Sequence, residues 1–513
     1  MIRTIVAMLT LAVVLGACTK DFEKINIDPN RPVQVPLDFL LGQTQLQIAG
    51  SANDPGYKTW RGNFIYAATI SQQMASANSF YAGDKYLYDA NNSGAYFVDS
   101  YANAIKNLVN LIDQAKKDPK NVNILSVARI LKAFQTHLIT DLYGDVPYSE
   151  AGLGYLQQNF SPKYDLQKDI YADMLKELDE AGKALTTSAA FPPTADFVYG
   201  GDLNKWKKFA NSLMLRLAMR MQKADPATAQ TWIKKAIDGG VMESNDDSFA
   251  IKHTAGAIYS NNSNSFTLGT FAGSRNVNAL DNILWSKTLI DLMKSRNDPR
   301  LNIIASVADG DMAPAKQKGL PNGYDNSTGT PHSLATFGDP NLKNYSRPSP
   351  LMIDANDPNI FLAYAETRFL TAEAIERTWV AGVAASEYQK GQEAALAILQ
   401  LYDPLATITN TAAYTAANPY PIAGTLADKL TQIHSEMFIL TASTLNFYEG
   451  FANYRRTGIP NLVPVNYPGN QTGGQIPRRL RYPQTEAAVN PNYTIANDRQ
   501  GGDSFLSKVW WDK

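Results

Sequence analysis

Apolar residues recur every three to four positions through most of this chain, the spacing that gathers them on one face of an α-helix. The pattern predicts helices over 37–49 (Leu37, Leu40, Leu41, Leu46, Ile48) and 62–75 (Phe64, Ile65, Ala68, Ile70). It is strongest over 96–116, with Ile105, Leu108, Leu111 and Ile112 on one stripe, and over 124–142, with Leu125, Leu131, Leu138 and Leu142. Further helices are expected over 165–185, 205–222, 227–238, 282–296, 362–377, 385–401, 426–440 and 443–454. Antiparallel neighbours bury their stripes against each other, and three pairs stand out: 124–142 with 165–185, 205–222 with 227–238, and 362–377 with 385–401.

Each pair has about the length of a tetratricopeptide unit, with small residues (Ala128, Ala133, Ala181, Ala210, Ala236, Ala372, Ala394) where facing helices would close up. The expected fold is therefore mostly α, a tetratricopeptide-like scaffold of helix pairs. Two stretches break the pattern. Residues 77–95 read as an exposed loop dense in Phe80, Tyr81, Tyr86 and Tyr88. Residues 246–358 are rich in Asn, Ser, Gly and Pro, with one clear helix, and form a large irregular insertion. Aromatics scattered through that insertion argue that it is ordered. The chain ends in a Pro-, Gly- and Arg-rich stretch, 458–513.

The amino terminus carries a different signal. Arg3 precedes an uncharged apolar run from Ile5 to Leu15, then Gly16, Ala17 and Cys18. That is a secretory signal over 1–17, too short to span a bilayer. Leu-Gly-Ala-Cys resembles a bacterial lipobox, which implies cleavage before Cys18 and acylation of its thiol. Two or more acyl chains would hold the protein firmly on a membrane. The following Thr19-Lys20-Asp21-Phe22-Glu23 resembles the Lys-acidic tag of surface-exported Bacteroidetes lipoproteins. Residues 18–36, punctuated by Pro29, Pro32 and Pro36, read as a lipidated tether. Residues 37–513 are expected to form one domain.

Composition narrows the chemistry. The formal net charge is −1, with no basic footprint for nucleic acid. The single cysteine is committed to lipid, so no intrachain disulfide or thiolate metal site is expected. The four histidines are too dispersed in sequence for a histidine zinc centre. No cofactor or metal is called for. The 26 Tyr and 7 Trp against 20 Phe favour surfaces that are apolar yet wet.

Several segments then appear in a characteristic order: DLYGDVPY at 141–148, WKKFANSL at 206–213 leading into LRLA, YAETRFLTAEA at 364–374, YEGFANYRRTGIP at 448–460, PRRLRYP at 477–483, Glu486, Asn490, and KVWWD at 508–512. With the lipobox, the set resembles the SusD/RagB family of nutrient-binding outer-membrane lipoproteins, and more closely its SusD-like second branch. The resemblance implies a helical scaffold under a loop-rich face and a cell-surface position on the outer membrane. It also implies a SusC-like TonB-dependent barrel as partner, over which the protein sits as a hinged lid. Catalysis is not implied.

Within the segments, Gly144 before Pro147 reads as a helix stop. Glu366 and Glu373 lie on one helical face and are expected to bind loop backbone or pair with Arg368 or Arg377. Arg455-Arg456 and Arg478-Arg479-Arg481 are open to anionic ligand, lipid headgroup, barrel or internal salt bridges. Trp510 and Trp511 are expected to be packed anchors.

Sugar binding needs flat apolar faces beside a few amides or charges. Two regions supply both. One contains Phe80, Tyr81, Tyr86 and Tyr88 with Asn78, Asp84, Asn91 and Asn92; the other contains Tyr259, Asn261, Asn262, Asn264, Phe266, Phe271, Arg275, Tyr324 and Tyr345. Oligosaccharide is the expected cargo and peptide the alternative. Other classes are a surface glycosidase, which needs a carboxylate pair set in a cleft, and a scaffold that binds only protein.

Overall fold

The computed structural model describes residues 35–51, 57–78, 80–254 and 283–513. Cys18 and most of the tether lie outside these residues, as do Tyr259, Asn261, Asn262, Asn264, Phe266, Phe271 and Arg275 of the insertion.

Helices of eight or more residues are numbered in order: α1 Leu37–Ala49, α2 Ala90–Asp99, α3 Lys106–Ala115, α4 Val122–Tyr143, α5 Gln167–Ala184, α6 Leu203–Arg220, α7 Pro226–Asp238, α8 Lys287–Ser295, α9 Tyr364–Glu376, α10 Ala384–Ala397, α11 Leu426–Ser443, α12 Phe447–Thr457 and α13 Asn492–Arg499. π-Helical turns run over Tyr57–Ala68 and Ser100–Ile105, the second joining α2 to α3. Local chemistry sets many ends. Asp202 caps α6 through the N–H groups of Asn204 and Lys205. Asp225 caps α7, which has Pro226 in its first turn, and Thr425 with Asp428 forms a reciprocal capping box on α11. Gly144, at φ 85°, stops α4 as expected.

The three expected pairs form: α4 packs on α5, α6 on α7 and α9 on α10. Contacts of α5 with α6, of α6 with α9, of α9 with α11 and of α11 with α12 join them into one scaffold. One large apolar cluster runs from Leu40 to Trp511, and a smaller one gathers Ala75, Ala77, Leu284, Leu320, Leu334 and Tyr345. Short antiparallel ladders tie in the irregular segments. Met74–Ala75 (β1) pairs with Leu284–Trp285 (β5), and Val146–Pro147 (β2) with Tyr164–Asp165 (β3). Phe249–Ile251 (β4) pairs with Asn359–Leu362 (β8), and Ala305–Ser306 (β6) with Arg347–Pro348 (β7).

Two expectations need correction. The loop expected over 77–95 ends early, because α2 begins at Ala90. Asp89 caps it through the Asn92 N–H (2.8 Å), and Ser93 and Gly94 are buried against the tail. A Cβ on Gly94 would stand 2.9 Å from the Pro483 Cα, so the small residues that read as a turn are there for close packing. The stretch expected to be helical to Ala75 instead ends near Ile70, and Met74–Ala75 is the strand β1.

The charged residues of the recognised segments are mostly internal. Glu373 pairs with Arg377, as expected, and also with Arg456 and His434. Burial alone would raise its carboxyl, but Arg456 and His434 hold it well below the usual carboxylate range. Glu366 pairs with Arg216 at 2.6 and 2.7 Å, whereas Arg368 pairs with Glu387. Arg478 pairs with Asp512, while Arg479 and Arg481 share Asp503. Trp511 is fully buried, and its Nε1 donates to Asp141 at 2.9 Å.

A second buried network fastens the insertion to the scaffold. Glu436 on α11 accepts from Arg296 (2.7 Å), Arg300 (2.8 Å) and the Tyr414 hydroxyl (2.7 Å). Burial opposes its ionisation, but Arg300 and Arg296 hold the carboxyl down at about 2, against 4.5 for a free glutamate. Its ionised form therefore contributes fully above pH 4.5, and that contribution fades as pH falls toward about 2. Glu436→Gln leaves the half-buried Arg296 without its carboxylate and the buried Arg300 with Asp298 alone, and should cost about 3 kcal/mol of unfolding free energy at neutral pH. Urea titrations should show the gap from the parent protein narrowing as pH is lowered from about 4.5 toward 2. A gap that stays constant would remove Glu436 as the source of acid sensitivity.

Candidate ligand-binding face

The π-helix over Tyr57–Ala68 presents Trp60 beside the segment that follows β1. Phe80 stacks on Trp60 with ring centroids 5.3 Å apart and planes 28° from parallel. Tyr81 meets Phe80 edge-on at 5.7 Å, and its hydroxyl accepts from Trp60 Nε1 at 2.7 Å. Burial pushes the Tyr81 phenol up to about 12, against the opposing Trp60 hydrogen bond, so it acts as a neutral hydroxyl. The Phe80 N–H donates to Asn78 Oδ1 at 2.8 Å, an Asx turn that sets the ring's direction. Phe80 is 44% exposed and Tyr81 only 5%. The solvent-facing part of this cluster is therefore the Phe80–Trp60 shelf, with Tyr81 bracing it from inside.

The other residues of the first predicted region fasten the shelf to its surroundings. Asp84 is fully buried and accepts from the N–H groups of Ser76 (3.2 Å) and Gly323 (3.2 Å) and from Lys85 Nζ (3.1 Å). Burial raises its carboxyl, with Lys85 opposing. The turn lies so close to the π-helix that a Cβ on Gly83 would come within 2.1 Å of the Ile65 carbonyl oxygen. Tyr86 is buried at φ 56°, and burial raises its phenol. Tyr88 is half-buried, with the Arg481 guanidinium 4.0 Å from its ring centroid and Phe505 edge-on at 5.9 Å. Asn91 is exposed and Asn92 buried on α2.

Of the second predicted region, Tyr324 and Tyr345 lie among the described residues. Tyr345 is buried and donates to the Asp339 carbonyl at 2.9 Å. Tyr324 is half-buried and lines a cavity of about 440 Å³ together with Gln72, Asn322, His332, Asn466 and Lys287. Its ring stands edge-on to Phe337 at 5.0 Å. Asn322 donates to the Met74 carbonyl at 2.8 Å, and His332 Nδ1 lies 3.0 Å from the Gly323 carbonyl. The Asp84–Gly323 bond joins this cavity's wall to the turn that carries the shelf. Aromatic faces, side-chain amides and one ion pair around a concave site can stack a sugar ring and bond its hydroxyls.

Sequence reasoning did not select Trp60. Its signal was a tryptophan between Lys58 and Arg61 at the polar end of a helical stripe. No group of three His, Cys, Asp or Glu side chains disposed to hold a metal occurs among the described residues. No helix among them is long and apolar enough to cross a membrane.

The family described as SusD-like, starch-binding and associating with the outer membrane, matches residues 29–483. Among solved structures, a chitin-binding protein is 34% identical with a TM-score of 0.80, over 93% of this chain and 100% of its own. A protein described as Bacteroidetes AC2a SusD-like is 27% identical with a TM-score of 0.78, over 93% and 100%. A chitin-binding SusD homolog from Flavobacterium johnsoniae is 25% identical with a TM-score of 0.76, over 93% and 98%. No curated protein matches the sequence. Similar along nearly its whole length, with the same helical architecture, the chain belongs to the SusD-like family.

Proposed function

We propose that this protein is a cell-surface lipoprotein that captures oligosaccharide and delivers it, as a hinged lid, to a SusC-like TonB-dependent barrel. The observation that carries the saccharide reading is the exposed Phe80 ring held flat against Trp60. A flat, preformed aromatic face is what a pyranose ring stacks on, and bracing by Tyr81 and Asn78 removes much of the ordering cost of binding. Two chitin-binding relatives, at 34% and 25% identity, favour a β-linked amino-sugar chain as the first cargo to test. The protein is a binder in this reading, with no bond made or broken in the cargo. Cys18 supplies the anchor and residues 18–36 the tether that lets the body swing. Tyr259, Asn262, Phe266 and Arg275 remain proposed ligand contacts on the sequence argument alone.

Calorimetry with chitin hexasaccharide should show Phe80→Ala weakening binding about tenfold, with Phe80→Tyr close to the parent protein. Equal affinity for the alanine variant would remove the shelf from the site. Growth in labelled palmitate should mark the parent protein in the outer-membrane fraction, and Cys18→Ser should abolish both label and membrane association. A labelled serine variant would place the acyl chain elsewhere.

A further inference from the structure

Beside the Tyr324 cavity lies a larger open basin of about 960 Å³. The two share Lys287 and Asp291 as a common wall. The basin's lining carries five lysines against three aspartates, in a chain whose net charge is only −1. Two of the lysines are already neutralised, Lys287 by Asp291 and Lys318 by Asp339 (2.6 Å). Lys294, Lys316 and Lys343 make no ion pair among the described residues. Lys294 lies on the basin face of α8, in helical register with Lys287 and Asp291.

The frame is rigid where the lysines stand on it. The Lys287 N–H donates to the Leu320 carbonyl at 2.8 Å, and the Ala308 N–H to the Lys343 carbonyl at 3.3 Å. The Lys318 N–H donates to Ser346 Oγ at 2.8 Å, and the Ser346 N–H returns to the Lys318 carbonyl at 2.7 Å. A Cβ on Gly319 would come within 2.3 Å of the Ser286 carbonyl oxygen, so α8 and the basin floor are in direct backbone contact. Three exposed ammonium groups that make no ion pair among the described residues thus stand around one concavity, against Asp309 as the one lining carboxylate outside an ion pair, and the net positive potential is focused there rather than dispersed. Phe337, 38% exposed, stands on its rim and meets Tyr324 of the neighbouring cavity.

We propose that the basin is a second saccharide subsite that takes the carboxylate or sulfate groups of an acidic polysaccharide, through Lys294, Lys316 and Lys343. The same chain would lay a ring face on Tyr324 and Phe337 across the Lys287–Asp291 ridge. The concave shape favours a flexible polyanion over a lipid surface, which presents a plane. The subsite rests on the reading of the protein as a saccharide binder but uses different residues from the Phe80 shelf, so the two can fail separately.

The test is calorimetry on the full protein with three probes: a heparin hexasaccharide, a hexagalacturonate and the neutral chitin hexasaccharide. Phosphatidylglycerol vesicles and inorganic sulfate serve as controls. At least one acidic probe should bind the parent protein, weaken with added salt, and lose about tenfold or more in the triple variant Lys294→Gln, Lys316→Gln, Lys343→Gln. Carboxylate and sulfate are separated by which acidic probe binds. These lysines are exposed, so the variant should fold, and unchanged chitin binding or an unchanged melting curve verifies it. The proposal is overturned if neither acidic probe binds, if the triple variant binds them as the parent does, or if lysine-dependent binding appears only with vesicles or with sulfate. Acidic binding that survives Phe80→Ala, with chitin binding absent throughout, would uphold the basin and discard the shelf.

Discussion

A buried lattice of arginines and carboxylates holds the scaffold in register. Arg216 and Arg220, one turn apart on α6, reach Glu366 on α9, Glu449 on α12 and Asp141 at the end of α4. All five side chains are at most 5% exposed. Charges taken out of water cost several kcal/mol each, and removing one partner leaves the other uncompensated. Each arginine is therefore tied to carboxylates on other helices, and a slide of any one helix would strand a charge. Burial dominates at Asp141 and Glu366 and raises them, whereas Arg220 and Arg216 outweigh burial at Glu449 and lower it. The indole of Trp511 completes the lattice at Asp141, which locks the tail onto the helices.

The loop-rich face is attached to that frame by few but specific bonds. The β1–β5 ladder sets Met74 against Trp285, and Gln73, the residue just before β1, donates to the Phe438 carbonyl of α11 at 2.8 Å. The Glu436 network pulls the Arg296–Arg300 turn to α11 from the other side. Between these anchors the Asp84–Gly323 bond places the shelf turn and the Tyr324 wall next to each other, though they lie 239 residues apart in sequence. Residues that read as a single ligand-binding cluster thus divide their work. Phe80 faces solvent, whereas Tyr81, Asp84 and Tyr86 give up exposure to hold it there.

That division follows from what side chains at loop positions can do. A tyrosine in a polar segment can stack on a sugar or fill a gap under a turn, and composition is the same in both cases. Asp84 became structural because two N–H groups and an ammonium converge on it, one of them from a residue far along the chain. Trp60 gained its place for the converse reason: its indole donates to Tyr81 and its face carries Phe80, partners chosen by folding rather than by spacing. The lysine basin draws on α8 and on two separate stretches of chain, 307–319 and 337–344, and no local run of charge announces it.

The chain's own pattern determined the helices, the three pairs, the stop at Gly144 and the internal role of Trp511. These depend on a 3.6-residue period, a cap or a bulky apolar side chain, all expressed within a few residues. It also put Arg377, one turn away on the same helix, among the candidate partners of Glu373, beside Arg368 and loop backbone, and that pair forms. Tertiary structure alone decided that Glu366 turns to Arg216, 150 residues distant, and not to Arg368 nearby. It alone began α2 at Ala90, where Ser93 and Gly94 meet the tail, and it alone joined shelf, cavity and basin on one frame. Periodicity records which face of an element avoids water, but the partner that covers that face is selected by packing and charge across the whole fold.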